Sequence, residues 1–396
     1  MNGILLLTII IALVYAAIGV AMPLLTLYLQ ALGADYGRIA VILATTAAVS
    51  LISSAIWGRI SDRLGRRKPL VVAGLAGGAV AYLLLSQAIS FEMAWGVRLG
   101  EAAALAAYTT ASLAFMGDLL AARGGRGRRM GLYRGIGSLA FAIGALIGGR
   151  LADIVSLRVS FLAAACLYGL AAVIALALHD VPIAARTTAP SLHLDPRPPA
   201  PGPRLLASGL PLPFLAGVFL WQMTWNGQAS MWPNYMATFG HPKTAISSLW
   251  GLAGLIEAPA MLLSGQLSDL VGRAALLAVG GFGASLVMIG YLLLSAALIT
   301  LLFVQVVRGI AFGSFTANAM TFAVEAGDER ARGANSGLLN AVAGAGQLVG
   351  LYLGGTLVQH FGFSFMWIAF AATAAVSAFC FLALRRATTM HHEEAK

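Results

Sequence analysis

Four ionisable residues fall inside apolar stretches of this chain, where each could handle a proton or an ion. Arg98 and Glu101 stand three apart in the stretch 93–116, so a helix there carries both on one face. Glu257 occurs in Leu255-Ile256-Glu257-Ala258-Pro259, and Arg308 follows Val307 in a later apolar run. Burial raises the pKa of a carboxyl group and a nearby guanidinium lowers it, so a carboxylate beside an arginine can exchange a proton as its surroundings change. Charged groups at such depth are costly in lipid and are read as functional by default. The plainer alternatives are a static, self-neutralising pair for Arg98 and Glu101, and a structural partnership with Arg308 for Glu257. Pro259 removes one helix hydrogen bond and can bend the chain beside that glutamate. Glu92 stands near the outer end of its stretch, in water.

A second group could bind rather than ionise. Trp221, Trp225, Gln228, Trp232 and Tyr235 recur at spacings of four and three, which puts them on one helix face, with Gln222 and Asn226 beside it. Rings supply apolar area and amides supply directional bonds, a combination suited to a small organic ligand. An interfacial aromatic belt is the alternative, and it fits Trp232 and Tyr235 better than the other two. Asn340 and Gln347 share a face seven residues apart, and Tyr15 and Gln305 are further polar candidates. Any of these could instead bond between helices.

The elements that must position these groups follow from composition. Of the 396 residues, 59% are hydrophobic and 10% are charged, against about 25% charged in a typical soluble domain. Such a chain needs lipid as the solvent for most of its surface. A crossing helix takes about 20 apolar residues. The sequence predicts such helices over 4–29, 39–57, 69–89, 93–116, 131–152 and 159–178, and again over 213–238, 245–265, 275–295, 297–322, 335–358 and 363–384. The first run lacks a basic start and is too long for a signal peptide, so it reads as the first crossing. Between the two sets of six, 185–212 is crowded with proline and reads as an extended linker. Cys166 and Cys380 lie in apolar segments with no second ligand near in sequence, and both are expected as small buried side chains.

The formal charge of +10 sits in short runs between the apolar stretches, which points to orientation in a bilayer and away from nucleic acid. With the N-terminus inside, 18 of the 25 Lys and Arg residues fall in inner loops and tail, and four fall outside: Arg38, Arg150, Arg158 and Lys243. The reverse topology would invert that asymmetry.

The chain also repeats itself. Gly58, Ser61, Asp62, Gly65 and Arg66 recur as Gly265, Ser268, Asp269, Gly272 and Arg273. Gly131, Leu132, Gly144, Gly148 and Gly149 recur as Gly337, Leu338, Gly350, Gly354 and Gly355, and Val97-Arg98 as Val307-Arg308. Two parallel six-helix repeats with a site near the midplane follow from this pattern. Gly58 and Gly65 suit a close approach and a tight turn, an aspartate in a short loop can receive hydrogen bonds from a helix start, and the arginines suit anionic headgroups.

Gly58, Asp62, Arg63, Gly65, Arg66 and Arg67 meet every position of the loop signature of the major facilitator superfamily, which this chain resembles over nearly its whole length. The second copy, with Gly265, Asp269, Gly272 and Arg273, has Leu270 and Ala274 where basic residues are common. The resemblance implies that this loop, through Asp62 and Arg66, latches the two halves on the cytoplasmic side in one state. It is nearest the drug–proton antiporter and sugar-efflux branch. Arg98 stands where those antiporters carry an arginine, although Glu101 and Ala102 replace the usual Gln and Gly. Glu-x-Pro at 257–259 is similar to sugar-efflux members. Gly144-Ala145-Leu146-Ile147-Gly148-Gly149 resembles the antiporter motif with Ala145 in place of proline.

The expected fold is therefore an all-α membrane protein, with about twelve transmembrane helices in two six-helix pseudo-symmetric bundles. The expected segments are an N-terminal bundle over 1–184, a cytoplasmic linker over 185–212, a C-terminal bundle over 213–386 and a cytoplasmic tail over 387–396. The expected function is secondary active transport of a small organic solute by alternating access, as proton-coupled efflux of a drug-like or sugar-like molecule. Proton symport or facilitated uptake of a small metabolite is the alternative. A polytopic membrane enzyme is disfavoured: there is no histidine metal spacing, Gly-x-Ser-x-Gly elbow or phosphate loop. A sensor would need a soluble output domain. The expectations extend to no cofactor or metal, a monomer, and a multi-pass protein of the inner cell membrane with both termini cytoplasmic.

Overall fold

The structure, a computed structural model, describes residues 3–121, 126–180, 209–326 and 332–394, with side chains given for all of these except 117–121, 126–134 and 385–394. Most of the proline-rich stretch 185–212, and the last two residues of the tail, lie outside the described residues.

Among the described residues the regular secondary structure is all helical, with no strand. In chain order the helices are α1 (Gly3–Ala21), a 3-10 turn at Met22–Leu24, α2 (Leu25–Ala31), α3 (Tyr36–Leu64), α4 (Lys68–Ser86), α5 (Phe91–Ala121), α6 (Arg126–Ile154), α7 (Leu157–Ala175), α8 (Leu212–Thr238), α9 (Lys243–Val271), α10 (Arg273–Leu294), α11 (Leu298–Glu325) and α12 (Arg332–Glu394). Pro23 explains the turn that divides α1 from α2, because it cannot donate to the preceding helix. α12 contains two helical stretches joined at Gly362, whose φ of 80° takes it out of helical geometry. Nine helices among the described residues are long and apolar enough to cross a bilayer, the first counted through α2 and the last holding both stretches of α12. Helices α5 and α8 have the length as well, but they carry the ionisable and amide residues singled out by the sequence.

The chain forms two compact units, and neither is a single run of sequence. Unit 1 comprises 1–33, 45–202 and 242–251; unit 2 comprises 34–44, 203–241 and 252–396. In unit 1, α1 packs on α6 and α7, and α4 packs on α5 and α7. Backbone meets backbone where Gly144 faces Ala16 and Gly148 faces Val20, so that a methyl group on either glycine would overlap a carbonyl. In unit 2, α8 packs on α12, with Gly350 against Met223 and Gly354 against Gly227. These are the repeat mates of the same two glycines, so the duplication read in the sequence is a duplication of helix crossings. Small residues are what such close approach requires when lipid removes the hydrophobic drive between helices.

The expectation that both cysteines are buried needs correcting. Cys166 is exposed and Cys380 is half-buried. In a bilayer an apolar position need not face the protein interior, so apolar flanks do not imply burial.

Candidate functional site

The Arg98 and Glu101 side chains meet on α5 as a hydrogen-bonded ion pair. They are 9% and 7% exposed, so the pair is shut away from bulk water. The i, i+3 spacing lets one helix present both groups, and neither charge then needs a partner from elsewhere. Two residues the sequence did not single out complete the cluster. Tyr82 of α4 is fully in the interior beside them and interacts electrostatically with both Glu101 and Arg98. Tyr168 of α7 stacks on Tyr82 with ring centroids 5.2 Å apart and contributes to the same electrostatic group. Tyrosines inside apolar runs were the available signal, but only packing shows that these two converge on the pair.

In unit 2, Glu257 on α9 and Arg308 on α11 form an ion pair at 3.8 Å. Here the partners come from two helices, and Glu257 keeps 22% of its side chain exposed. Gly309 and Gly313 let α11 approach α9 closely, against Ile256 and Ala260. Pro259 sits inside α9, two residues after the glutamate, where it leaves the Leu255 carbonyl without its usual donor. The Arg308 guanidinium lies 5.2 Å from the centre of the Trp225 ring, a cation–π contact.

The aromatic face of α8 turns into the interior of unit 2. Trp221, Trp225, Gln228, Trp232 and Tyr235 are all buried. Trp221 stacks between Phe315 at 3.7 Å and Trp225 at 4.8 Å, and its Nε1–H donates to the Gly280 carbonyl. Trp232 and Tyr235 pack with Tyr291 and Trp367. Gln228 is 1% exposed, and neither of its amide atoms has a partner. Gln222 and Asn226 are half-buried and bond each other at 3.0 Å. Gln305 is buried, and its side-chain oxygen has no hydrogen-bond partner. Asn340 is exposed, Gln347 half-buried, and Tyr15 38% exposed beside Gly137.

The two copies of the loop motif share one local design. Arg67 bonds Ser61 and pairs with Asp62 at 3.1 Å; Arg273 bonds Ser268 and pairs with Asp269 at 2.8 Å. Gly65 and Gly272 supply turns at φ 61° and 88°. In unit 1 it is Arg67 that bonds Asp62, while Arg63 and Arg66 point to solvent. The N–H groups at the start of α4 are received by Asp180, not by Asp62: its Oδ1 accepts from Arg67 at 2.8 Å and Lys68 at 2.9 Å. Arg273 also reaches Glu325 at 3.2 Å. Gly58 meets Thr110 at ordinary contact distance and Gly265 faces open space, so neither marks a tight crossing.

Residues 4–304 and 222–396 each match one family model, that of the Major Facilitator Superfamily. The chain belongs to that superfamily. It is 29% identical over 276 residues to a protein of Deinococcus radiodurans assigned as a sugar efflux transporter, a match covering 65% of this chain and 66% of that one. It is 31% identical over 167 residues to the class H tetracycline resistance protein of Pasteurella multocida, covering 40% of each chain. The matched segment thus spans about two fifths of that protein. Among solved structures, the nucleoside transporter NupG, as its D323A mutant, superposes with a TM-score of 0.82 at 16% identity, over 96% of this chain and 99% of the other. A bacterial homologue of the lysosomal transporter Spinster superposes at 0.70 and 14% identity, over 99% of this chain and 96% of the other. At these identities the structures establish the fold: a major facilitator fold, and with it a multi-pass membrane protein.

Proposed function

We propose that this chain is a secondary active transporter that exports a small organic solute by alternating access, driven by protons entering from outside. The observation that carries this reading is the pair of acid–base couples held inside apolar helices, Arg98 with Glu101, which is buried, and Glu257 with Arg308, whose glutamate is partly exposed, one in each repeat. A carboxylate that is an ion-pair partner when deprotonated, and a neutral group when protonated, lets proton binding and helix rearrangement drive each other. Relatives named for tetracycline resistance and sugar efflux support export of a drug-like or sugar-like substrate. The half-buried amides Gln222 and Asn226, which flank Trp225 in the sequence of α8, are the groups we assign to substrate. The Asp62 and Asp269 loops are assigned to the cytoplasmic side, with the N-terminus inside and the chain working as a monomer. Proton symport or facilitated uptake remains the second reading, favoured by Ala145 where antiporters carry proline.

Purified protein in liposomes with an imposed pH gradient tests this. Glu101→Gln and Glu257→Gln are each expected to reduce gradient-driven flux at least about tenfold, while insertion and monodispersity persist. Uphill transport by both variants at the parent rate would refute the assignment. A thermal-shift panel of drug-like, sugar and nucleoside compounds identifies the substrate class, because a ligand of the folded state raises apparent stability.

A further inference from the structure

Two helices in this molecule begin in one unit and end in the other. Residues 36–44 of α3 pack in unit 2 and the rest of α3 in unit 1; residues 243–251 of α9 pack in unit 1 and the rest of α9 in unit 2. The two starts are repeat mates, because the 207-residue offset that relates Gly58 to Gly265 also relates Tyr36 to Lys243. Each start is held in the same way. Gly149 lies so close to the Lys243 carbonyl that a Cβ there would come within 2.7 Å of it, and Gly355 is pressed against the Tyr36 carbonyl likewise. One turn beyond each glycine stands a side-chain acceptor. Asp153 receives the Lys243 N–H at 3.0 Å, and Gln359 receives the Tyr36 N–H at 3.1 Å. The 206-residue offset that pairs Gly149 with Gly355 also pairs Asp153 with Gln359.

The two holds differ in chemistry. The first N–H groups of a helix have no partner within it. At the start of α3, Asp35 supplies a local acceptor to Arg38 N–H at 2.8 Å. Its mate before α9 is Pro242, which has no side-chain acceptor to offer. Asp153 fills that role from another helix: it also accepts the Thr244 N–H and the Thr244 hydroxyl, both at 2.7 Å, and it lies 3.6 Å from the Lys243 ammonium. A charged acceptor on a helix start makes stronger bonds than a neutral amide and suits the positive end of the helix dipole.

We propose that Asp153 and Gln359 are positioning residues for transport, an unequal pair of clasps that hold the starts of α9 and α3 while the outer side is closed. This rests on the alternating-access reading above. Asp153 is the stronger clasp and Gln359 the weaker. The cycle releases both when the site opens outward.

The full-length chain tests this with one reporter cysteine at a time. Cys166 and Cys380 are replaced by alanine, and Ser247→Cys or Ala40→Cys is introduced. Both positions are fully buried, Ser247 beside Gly149 and Ala40 beside Gly355. Labelling by a membrane-impermeant maleimide is followed on intact cells. Asp153→Ala removes three hydrogen bonds and the Lys243 ion pair, and is expected to speed labelling at position 247 at least about tenfold and to leave position 40 within about twofold. Gln359→Ala is expected to reverse the pattern, with a gain of about threefold at position 40. Should Asp153→Ala fail to accumulate, Asp153→Asn and Thr244→Val serve instead, with intermediate gains. Unchanged labelling at 247 in these variants overturns the proposal, as does an equal rise at both positions, which is general loosening. If the same pattern is found only in inverted vesicles, the clasps stand and the assigned orientation falls. Proton coupling is untouched by either result, since labelling needs neither substrate nor gradient.

Discussion

The polar centres of the two units are built from the same residue types and differ in what holds them. In unit 1, arginine and glutamate share one helix, so their separation is fixed by the helix itself, and tyrosines from α4 and α7 seal the pair. In unit 2, the partners sit on α9 and α11, at 3.8 Å, with the glutamate partly exposed and the arginine leaning on Trp225. A shift of one helix by an ångström leaves the first pair intact and breaks the second. The repeat therefore supplies one rigid couple and one that senses helix position. Under the coupling reading, Glu257 is the group whose proton affinity tracks the conformational change most directly, while Glu101 requires its surroundings to be opened.

That contrast can be broken most decisively at Arg98. Arg98→Ala leaves Glu101 buried without a counter-charge, which destabilises a fold by about 3–5 kcal/mol. Thermal unfolding in detergent should drop sharply, and Arg98→Ala/Glu101→Ala should recover much of the loss, because neither charge is then stranded. Recovery without transport would separate the structural role of the pair from its coupling role. Additive losses would mean that the two side chains do not act as a unit. The same measurement at Arg308→Ala should give the smaller loss of roughly 1–2 kcal/mol, since Glu257 is less completely buried than Glu101. Equal losses at the two arginines would erase the distinction between a fully buried and a partly exposed pair.

How much of this was readable in advance depends on whether a contact is local. The Arg98–Glu101 pair follows from a spacing of three on a helix. The loop copies and the glycine crossings follow from the repeat, and the family from the first loop's signature. The Glu257–Arg308 pair, 51 residues apart, stood in the sequence as one alternative among others, because nothing local selects which helix lies beside α9. The aromatic period on α8 fixed that five residues share a face but not where that face points. In a chain apolar on every side, hydrophobicity does not distinguish the protein interior from lipid, so Trp221 reads equally well as wall or as core. The same ambiguity misled the expectation for Cys166. Asp62 was the natural acceptor for the start of α4 on loop chemistry alone, yet Asp180, more than a hundred residues away, takes that place. Tyr82 and Tyr168 carried no motif at all.

Tyr82 offers the finest test of the sealed centre. Tyr82→Phe deletes one hydroxyl and keeps the ring that stacks on Tyr168 and packs with Phe161. The expected loss of stability is only about 0.5–1.5 kcal/mol, that of one neutral hydrogen-bonding group. The hydroxyl interacts electrostatically with both members of the Arg98–Glu101 pair, so its removal should also alter the pH at which gradient-driven flux is half-maximal. Phe161→Leu, which trims the same packing away from the charges, should reduce stability by a similar or greater amount and leave that midpoint in place. A matched pair of variants that lose stability alike but differ in pH midpoint would mean that the tyrosine acts on the carboxylate itself. If both midpoints stay with the parent, Tyr82 is packing alone, and the rigidity of the unit 1 pair is owed to the helix spacing without help from its neighbours.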